Sequence, residues 1–261
     1  MKVISFFSEK GGTGKTTLTV LMASYLAYHE HRKVYVMDCD FPSYQFSKMR
    51  ATDESLLNAD NPAFLKAVGN NVPYKIGQIA PKDRFTLPEL ESIANTLRSH
   101  SKDDGYFFLD FPGRFLASDP ANYLAQKGLI DLIVFPVDSD RQSRASAFMV
   151  GHTLKKATNQ NMCVLWNKET AKERYGKRDW YDVPTQRFID MGIPVVHQRV
   201  RDILIARRDP NTFGFIRSTL CWPEQNIQRA APYLENIFKE IQLRADSKWN
   251  DRMLRKVYGE E

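Results

Sequence analysis

One short segment near the start of the chain constrains its fold more than any other feature. It consists of three glycines, two lysines and three threonines: Lys10, Gly11, Gly12, Thr13, Gly14, Lys15, Thr16 and Thr17. An apolar run at residues 3–7 precedes it, and helical spacing at residues 16–29 follows it. Glycines let the backbone curl and aim N–H groups inward, and the start of a helix adds its positive dipole. The segment therefore predicts a loop that cradles phosphate groups between a strand and a helix.

Two side chains of this loop have defined tasks in a phosphate cradle. Lys15 is placed to reach the β- and γ-phosphates, and the Thr16 hydroxyl can hold Mg²⁺. The plain pattern GxxxxGK[ST] is not met, because Glu9 stands five positions before Gly14. A glycine-rich turn with incidental lysines is the alternative, and the flanking strand and helix patterns argue against it.

The loop resembles the deviant Walker A box, KGGxGK[ST][ST], of the ParA/MinD family of ATPases. The resemblance implies ATP and Mg²⁺ as ligands, and slow, partner-stimulated hydrolysis to ADP and phosphate. It also implies a homodimer formed with ATP, in which the extra lysine, here Lys10, crosses to the partner's nucleotide. Residues Gly11, Gly12, Thr13, Gly14, Lys15, Thr16 and Thr17 are then nucleotide-binding, and Lys10 and Lys15 catalytic.

Hydrophobic patterning along the chain predicts an α/β fold. Apolar runs typical of strands occupy residues 3–7, 34–37, 74–79, 106–109, 129–137 and Met162–Trp166, and a further short one residues 193–196. Helical spacing occupies residues 16–29, 87–99, 142–158 and 226–243, and residues 41–71 and 168–184 are expected to form loops or mobile helices. Continuous apolar strands alternating with helices indicate a mostly parallel twisted sheet with helices on both faces. We expect one P-loop ATPase domain at residues 1–245 and a tail or short helix at residues 246–261.

Two predicted strands end in aspartate, at the edge where such a sheet places its ligands. Asp110 follows residues 106–109 like a Walker B aspartate, so the resemblance assigns it to Mg²⁺ through water, and Gly113 to sensing the γ-phosphate. Asp38 and Asp40 follow residues 34–37 and resemble the family's DxD segment. On that resemblance Asp40 lies near Mg²⁺ and positions the attacking water, while Asp38 supports the loop. A bare strand end and an Asx turn are the alternatives.

One departure from the family pattern follows Asp40. The family often continues DxDPQ, whereas Phe41 stands here before Pro42. The details of the first switch are therefore left open.

Asn167 ends the predicted strand Met162–Trp166. In the family an asparagine at such a strand end contacts adenine, and the amide has the donor and the acceptor needed to read N6 and N7. The alternative is an asparagine that merely starts a turn.

Positive charge predicts a polyanionic partner. The net charge is +6, and basic residues cluster at 168–178 and 199–217. The resemblance to ParA implies nonspecific DNA binding in the ATP state and a centromere-binding or transfer partner protein. The candidates for DNA contact are Lys172, Arg174, Arg201, Arg207, Arg208 and Arg217. The alternative is a solvated surface with local acidic partners such as Asp202 and Asp209.

Several rival functions are open from the sequence. A weakly amphipathic basic C-terminal stretch suits a MinD-like membrane-associated positioning ATPase, although it ends in Glu260 and Glu261. An iron–sulfur carrier would need paired cysteines, which the three cysteines do not form. Residues 213–223 resemble ParA relatives of conjugative transposons, which favours DNA partitioning or conjugative transfer. No signal peptide and no stretch of about 18 apolar residues is present, so we expect a cytoplasmic protein, nucleoid-associated when bound to DNA.

Overall fold

Six apolar segments form one parallel sheet at the centre of the molecule. The computed structural model describes residues 1–79, 85–112, 120–176, 180–202, 217–224, 228, 232–247 and 250–259. The strands are β1 (Lys2–Phe6), β2 (Val34–Asp38), β3 (Lys75–Gln78), β4 (Tyr106–Asp110), β5 (Leu132–Val137) and β6 (Met162–Trp166). They are ordered β3-β2-β4-β1-β5-β6, and every pair is parallel. All carboxyl ends therefore meet at one edge of the sheet.

Ten α-helices lie in the described part of the chain. They are α1 (Lys15–Ser24), α2 (Gln45–Asn58), α3 (Pro62–Val68), α4 (Leu87–His100), α5 (Pro120–Gln126), α6 (Arg141–Ala157), α7 (Ala171–Tyr175), α8 (Asp182–Asp190), α9 (Leu234–Ala245) and α10 (Asp251–Tyr258). The core on one face packs α1 and α9 against the sheet, and the core on the other packs α4, α5, α6 and α8. Every residue of β4, β5 and β6 is buried, which explains their continuous apolar patterns.

The predicted fold class is confirmed, with local differences. The predicted first helix ends as an α-helix at Ser24 and continues as a π-helical turn over Tyr25–His29. The strand predicted at residues 193–196 is wrong, because Val195 forms only an isolated bridge to Val164. Residues 41–71 contain two helices, α2 and α3. Each has few buried residues, and the largest of these are Phe46 in α2 and Phe64 in α3.

A buried acidic side chain joins α2 to the segment at residues 217–222. Asp53 Oδ2 accepts hydrogen bonds from Thr219 N at 2.6 Å, Thr219 Oγ1 at 2.7 Å and Ser218 Oγ at 3.2 Å. Arg50, one turn earlier, donates to Thr219 Oγ1 and to the Thr219 carbonyl. The helix that follows the Asp38–Asp40 turn is thereby fixed to a segment distant in sequence.

The last helix, α10, is held on the body by a tyrosine. Tyr258 donates a 2.6 Å hydrogen bond to Glu240 Oε2, which also accepts from the backbone of His197. The Tyr258 and His197 rings lie 4.6 Å apart. No helix of the described residues has the length and apolarity to cross a bilayer.

Candidate functional site

The carboxyl edge of the sheet gathers the polar residues that the sequence singled out. β1 leads into the glycine-rich loop, β2 ends at Asp38 and β4 at Asp110. Asp38 and Asp110 are register partners on adjacent strands, so their side chains share one face of the sheet edge. β5 and β6 lead on the other side of β1 into Asp138 and Asn167. The parallel topology alone brings these five chain segments together.

The loop curls because two glycines adopt a left-handed backbone. Gly12 has φ 77° and Gly14 has φ 96°, values that side chains with a Cβ rarely adopt. Gly14 is the residue before α1, and the Leu18 N–H donates to its carbonyl, so the helix starts at Lys15. A Cβ on Gly14 would also lie 2.5 Å from Asn167 Nδ2. Glycine is therefore required here by both the turn and the neighbouring strand end.

Lys15 carries the buried cation of the site. Its side chain is 7% exposed, and its Nζ lies 3.5 Å from the Lys10 carbonyl oxygen. Burial lowers the pKa of Lys15, while the carboxylates of Asp110 and Asp40 oppose that shift. A desolvated ammonium at the start of a helix is well placed to bind an anion, since water competes with it poorly.

Asp110 is a fully buried carboxylate next to Thr16. Thr16 Oγ1 donates to Asp110 Oδ1 at 3.3 Å, while the buried Oδ2 has no hydrogen-bond partner in the described part of the chain. Burial, followed by repulsion from Asp38, raises the pKa of Asp110 to about 8, and the Thr16 hydrogen bond opposes the rise. A buried carboxylate oxygen without a donor indicates a missing electropositive ligand.

Asp38 and Asp40 differ in their surroundings. Asp38 is buried and accepts hydrogen bonds from Ser47 N at 2.9 Å, Ser47 Oγ at 2.8 Å and Asp40 N at 3.2 Å. It thus shapes the turn between β2 and α2. Asp40 is half-buried, and burial and then Asp38 raise its pKa, whereas Lys15 lowers it. The part of the chain that the structure describes gives its carboxylate no hydrogen bond as short as those of Asp38.

The hydroxyl and carboxylate oxygen atoms of this site suit a magnesium ion as ligands. Thr16 and Asp110 are in contact, and Asp40 is close enough to both Asp110 and Lys15 to affect their pKa values. Mg²⁺ is usually held by one or two carboxylates together with phosphate oxygens and water. No group of three or more His, Cys, Asp or Glu in the described chain could hold a metal by itself. These residues therefore fit an ion that is held partly by a bound phosphate.

Lys10 points toward α6 in this structure. Its Nζ forms an ion pair with Asp140, the N-cap of α6, which also accepts from Gln142 N at 2.8 Å and Ser143 N at 3.2 Å. The neighbouring Glu9 accepts from Ser146 Oγ at 3.3 Å. Lys10 is partly exposed, so its ammonium can leave Asp140 without disturbing the core.

Asn167 and Lys168 contact the outer side of the loop. Asn167 Nδ2 donates to the Thr13 carbonyl at 2.6 Å, and Lys168 Nζ donates to the Gly12 carbonyl. Asn167 is thus placed beside the loop, and its Oδ1 accepts the backbone N–H of Lys168 at 3.0 Å. Thr17 continues α1, and Gly113 lies outside the described residues.

The described candidate DNA-binding residues lie on different elements of the fold. Lys172, Arg174 and Arg201 surround the end of β6, whereas Arg217 lies next to the Ser218–Thr219 contact with α2. Arg174 pairs with the buried Glu169 at 2.9 Å, and Arg199 pairs with the same carboxylate at 3.2 Å, so this group of three keeps a net positive charge. Lys172, Arg201 and Arg217 are exposed, and Arg207 and Arg208 lie outside the described residues.

Two residues of the site were missed by the sequence reasoning. The contact of Asp140 with Lys10 depends on β5 lying next to β1, and only its N-cap position could be read from sequence. In the sequence, Lys168 is only one of several basic residues in the cluster at 168–178. Its contact with the loop depends on a left-handed backbone, φ 62°, that an isolated lysine does not signal.

Comparisons with known proteins agree with this architecture. The family model described as an AAA domain matches residues 1–64. No curated protein matches the sequence significantly.

Solved structures match the whole fold. The MinC:MinD cell division complex of Aquifex aeolicus is 16% identical with a TM-score of 0.59, covering 93% of this chain and 96% of that one. ParA of pNOB8 bound to nonspecific DNA is 13% identical with a TM-score of 0.60, covering 95% and 99%. A putative plasmid partition protein of Borrelia burgdorferi B31 bound to AMPPNP is 15% identical with a TM-score of 0.56, covering 92% and 98%. The expected likeness to the ParA/MinD proteins is thereby confirmed in fold along the chain, and residues 1–64 match the AAA-domain family in sequence.

Proposed function

We propose, from this likeness to the ParA and MinD ATPases, that the chain is a Mg²⁺-dependent ATPase that works as a nucleotide-switched dimer. One observation carries the proposal. The glycine-rich loop, the buried Lys15 and the carboxylates of Asp40 and Asp110 converge at the carboxyl edge of one parallel sheet. A cation, a set of backbone N–H groups and two carboxylates are what a metal-bound triphosphate requires.

The residues divide the chemistry of hydrolysis between them. Lys15 and the N–H groups of residues 11–17 bind the phosphates, and Lys15 stabilises the charge that develops on the γ-phosphate in the transition state. Thr16 and Asp110 would hold Mg²⁺, which supplies charge neutralisation on the β- and γ-phosphates. Asp40, half-buried with a raised pKa, orients the attacking water and accepts its proton. Asn167 contacts the adenine edge with its side-chain amide, and Gly113 senses the γ-phosphate.

The position of Lys10 supports a role in dimerisation. Its ammonium is at the surface, on a flexible side chain next to the phosphate site. In the ATP state it leaves Asp140 and crosses to the nucleotide of a second copy. Hydrolysis then becomes coupled to assembly and is slow until a partner protein stimulates it.

For the cellular role, we prefer a ParA-like activity in DNA partitioning or conjugative transfer, with nonspecific DNA binding in the ATP state. A solved relative of this fold is described as bound to nonspecific DNA. The exposed Lys172, Arg201 and Arg217 are the described candidates for phosphate contacts. A centromere-binding or transfer protein would be the partner, and the protein would be cytoplasmic and associated with the nucleoid.

The second candidate is a MinD-like membrane-associated positioning ATPase. The basic helix α10 and the MinD structure with the same fold favour it. Tyr258, on the less polar side of α10, is already bound to Glu240. A membrane would have to compete with that contact, so we place this function second.

Phosphate release, DNA mobility shift and liposome flotation, each with Mg·ATP, test the proposal together. We expect slow ATP hydrolysis that Asp40→Ala abolishes, and an ATP-dependent DNA shift that Lys172→Ala and Arg201→Ala weaken. Removing one cation that binds a DNA phosphate should reduce the slope of affinity against salt by about 1. Flotation without any DNA shift would favour the membrane role, and no nucleotide-dependent activity at all would contradict the ATPase itself.

A further inference from the structure

We propose that Lys168, together with Asn167, is a positioning residue that orients the phosphate-binding loop from outside. The inference rests on the proposed function, because it assigns a role in binding the same nucleotide. The two residues follow β6 directly and contact two consecutive carbonyl groups of the loop. Lys168 contacts no phosphate in this assignment, and it acts through the backbone of the loop.

The geometry of the peptide group gives these contacts their effect. In a planar trans peptide the C=O and the following N–H point in opposite directions. Lys168 holds the Gly12 carbonyl toward β6, so the Thr13 N–H points away from β6. Asn167 holds the Thr13 carbonyl in the same direction, so the Gly14 N–H also points away. Two successive donors are thereby presented on the side of the loop that is open to phosphate.

The backbone of Lys168 shows that this orientation is built into the strand end. Its φ of 62° is left-handed, a conformation that residues with a Cβ rarely adopt. Asn167 Oδ1 accepts the Lys168 N–H at 3.0 Å and so stabilises the turn. The backbone N–H of Asn167 in turn donates to the Val137 carbonyl at 2.7 Å. This hydrogen bond fixes both residues to the sheet. The loop is thus oriented by a rigid element.

The role makes a specific kinetic prediction. The backbone N–H groups of such a loop cradle the α- and β-phosphates, which ATP and ADP have in common. Losing their orientation should weaken the binding of both nucleotides to a similar extent, and should raise KM more than it lowers kcat. A lysine that contacts the γ-phosphate directly would instead affect ATP more than ADP, and kcat more than KM.

Lys168→Met is the test variant, since it keeps the unbranched stem and removes the donor. Lys155→Met is the matched control, because Lys155 Nζ also donates to a glycine carbonyl, that of Gly192 at 3.4 Å, away from the site. We expect Lys168→Met to weaken Mg·ATP and Mg·ADP binding in calorimetry about tenfold, and kcat to change less than about threefold. Lys168→Arg, which retains a cationic donor, should stay within about threefold of the parent.

NMR order parameters of the nucleotide-free protein provide an independent readout. The N–H groups of residues 12–14 should show lower order parameters in Lys168→Met than in the parent and in Lys155→Met. Unchanged order parameters or unchanged affinity would overturn the proposal, as would an effect confined to kcat. If Lys168→Met does not fold, Lys168→Ala, which also lacks a donor, replaces it with the same expectations. If the parent binds no nucleotide, the proposed function fails, while the order parameters still decide whether Lys168 orients the loop.

Discussion

At the scale of single residues, the carboxyl group of Asp110 gives the site a pH dependence. It is fully buried, and its pKa is raised to about 8, first by burial and then by Asp38. The unfolded chain releases this proton at about pH 4. Because the folded chain holds the proton across the interval, the contribution of Asp110 to stability is complete below about pH 4 and is lost as the pH rises through about 8.

We therefore predict that the nucleotide- and metal-free protein loses stability between about pH 4 and about pH 8, by up to about 1.4 kcal/mol per pH unit from this group. Asp110→Asn cannot ionise and should show a smaller slope in the same interval. Urea unfolding in EDTA at several pH values measures both. Equal slopes for the parent and Asp110→Asn would contradict this account of the buried carboxylate.

The sequence predicted the residues of the phosphate loop well and their contacts only in part. Loop identity follows from the order of residues alone, since glycine and lysine are needed at fixed positions between a strand and a helix. The contact of Lys10 with Asp140 requires β5 to lie beside β1, and the contact of Lys168 with Gly12 requires a left-handed backbone. Neither condition leaves a local pattern in the sequence.

At the scale of elements, the attachment of α2 to residues 217–222 depends on Asp53. Its carboxylate is 5% exposed and accepts three hydrogen bonds from Ser218 and Thr219. Asp53→Ala would leave these donors buried without an acceptor. We predict a loss of about 2–3 kcal/mol in the free energy of unfolding, measured in urea.

Thr52→Ala is the control for this prediction, because Thr52 is the exposed neighbour on the same helix. It should change stability by less than about 0.5 kcal/mol. Similar effects from the two variants would show that the Asp53 contacts do not hold α2 in place.

The attachment of α10 provides a second test at this scale. Tyr258→Phe removes the donor to Glu240 Oε2 and keeps the ring beside His197. We predict faster tryptic cleavage within α10, where Arg252, Arg255 and Lys256 are exposed, because the helix detaches more often. Tyr175→Phe, at a ring that is 79% exposed, should leave the cleavage rate unchanged. A cleavage rate that Tyr258→Phe leaves unaltered would mean that α10 is held by other contacts.

Element prediction succeeded where burial was continuous and failed where it was sparse. The central strands are apolar at almost every position, and their existence could be predicted from that pattern. Helices α2 and α3 have only a few buried residues each, so their pattern did not separate helix from loop. Residues 193–196 have an apolar pattern, but only Val195 forms a bridge to a strand, at Val164 of β6.

At the scale of the whole molecule, the ion pair of Lys10 with Asp140 bears on dimerisation. Lys10 cannot reach a second subunit while it remains paired within its own. Asp140→Asn keeps an oxygen to cap α6 and removes the charge that holds Lys10. We predict that the ATP concentration needed for half-maximal dimerisation falls, by about threefold or less, because the pair is solvent-exposed.

Sedimentation with increasing Mg·ATP measures this shift. Asp138→Asn, in the same turn, serves as the charge control and should behave like the parent, and Lys10→Ala should not dimerise. ATP-independent dimers in Lys10→Ala would contradict the role given to this lysine.

The central claim is that the loop after β1 binds the phosphates of a nucleoside triphosphate through Lys15. Calorimetric titration of the protein and of Lys15→Ala with Mg·ATP tests it most directly. The account predicts saturable binding by the parent and at least about a hundredfold weaker binding by the variant, since the substitution removes a desolvated cation. No heat of binding with the parent, or equal affinities for the two proteins, would contradict it.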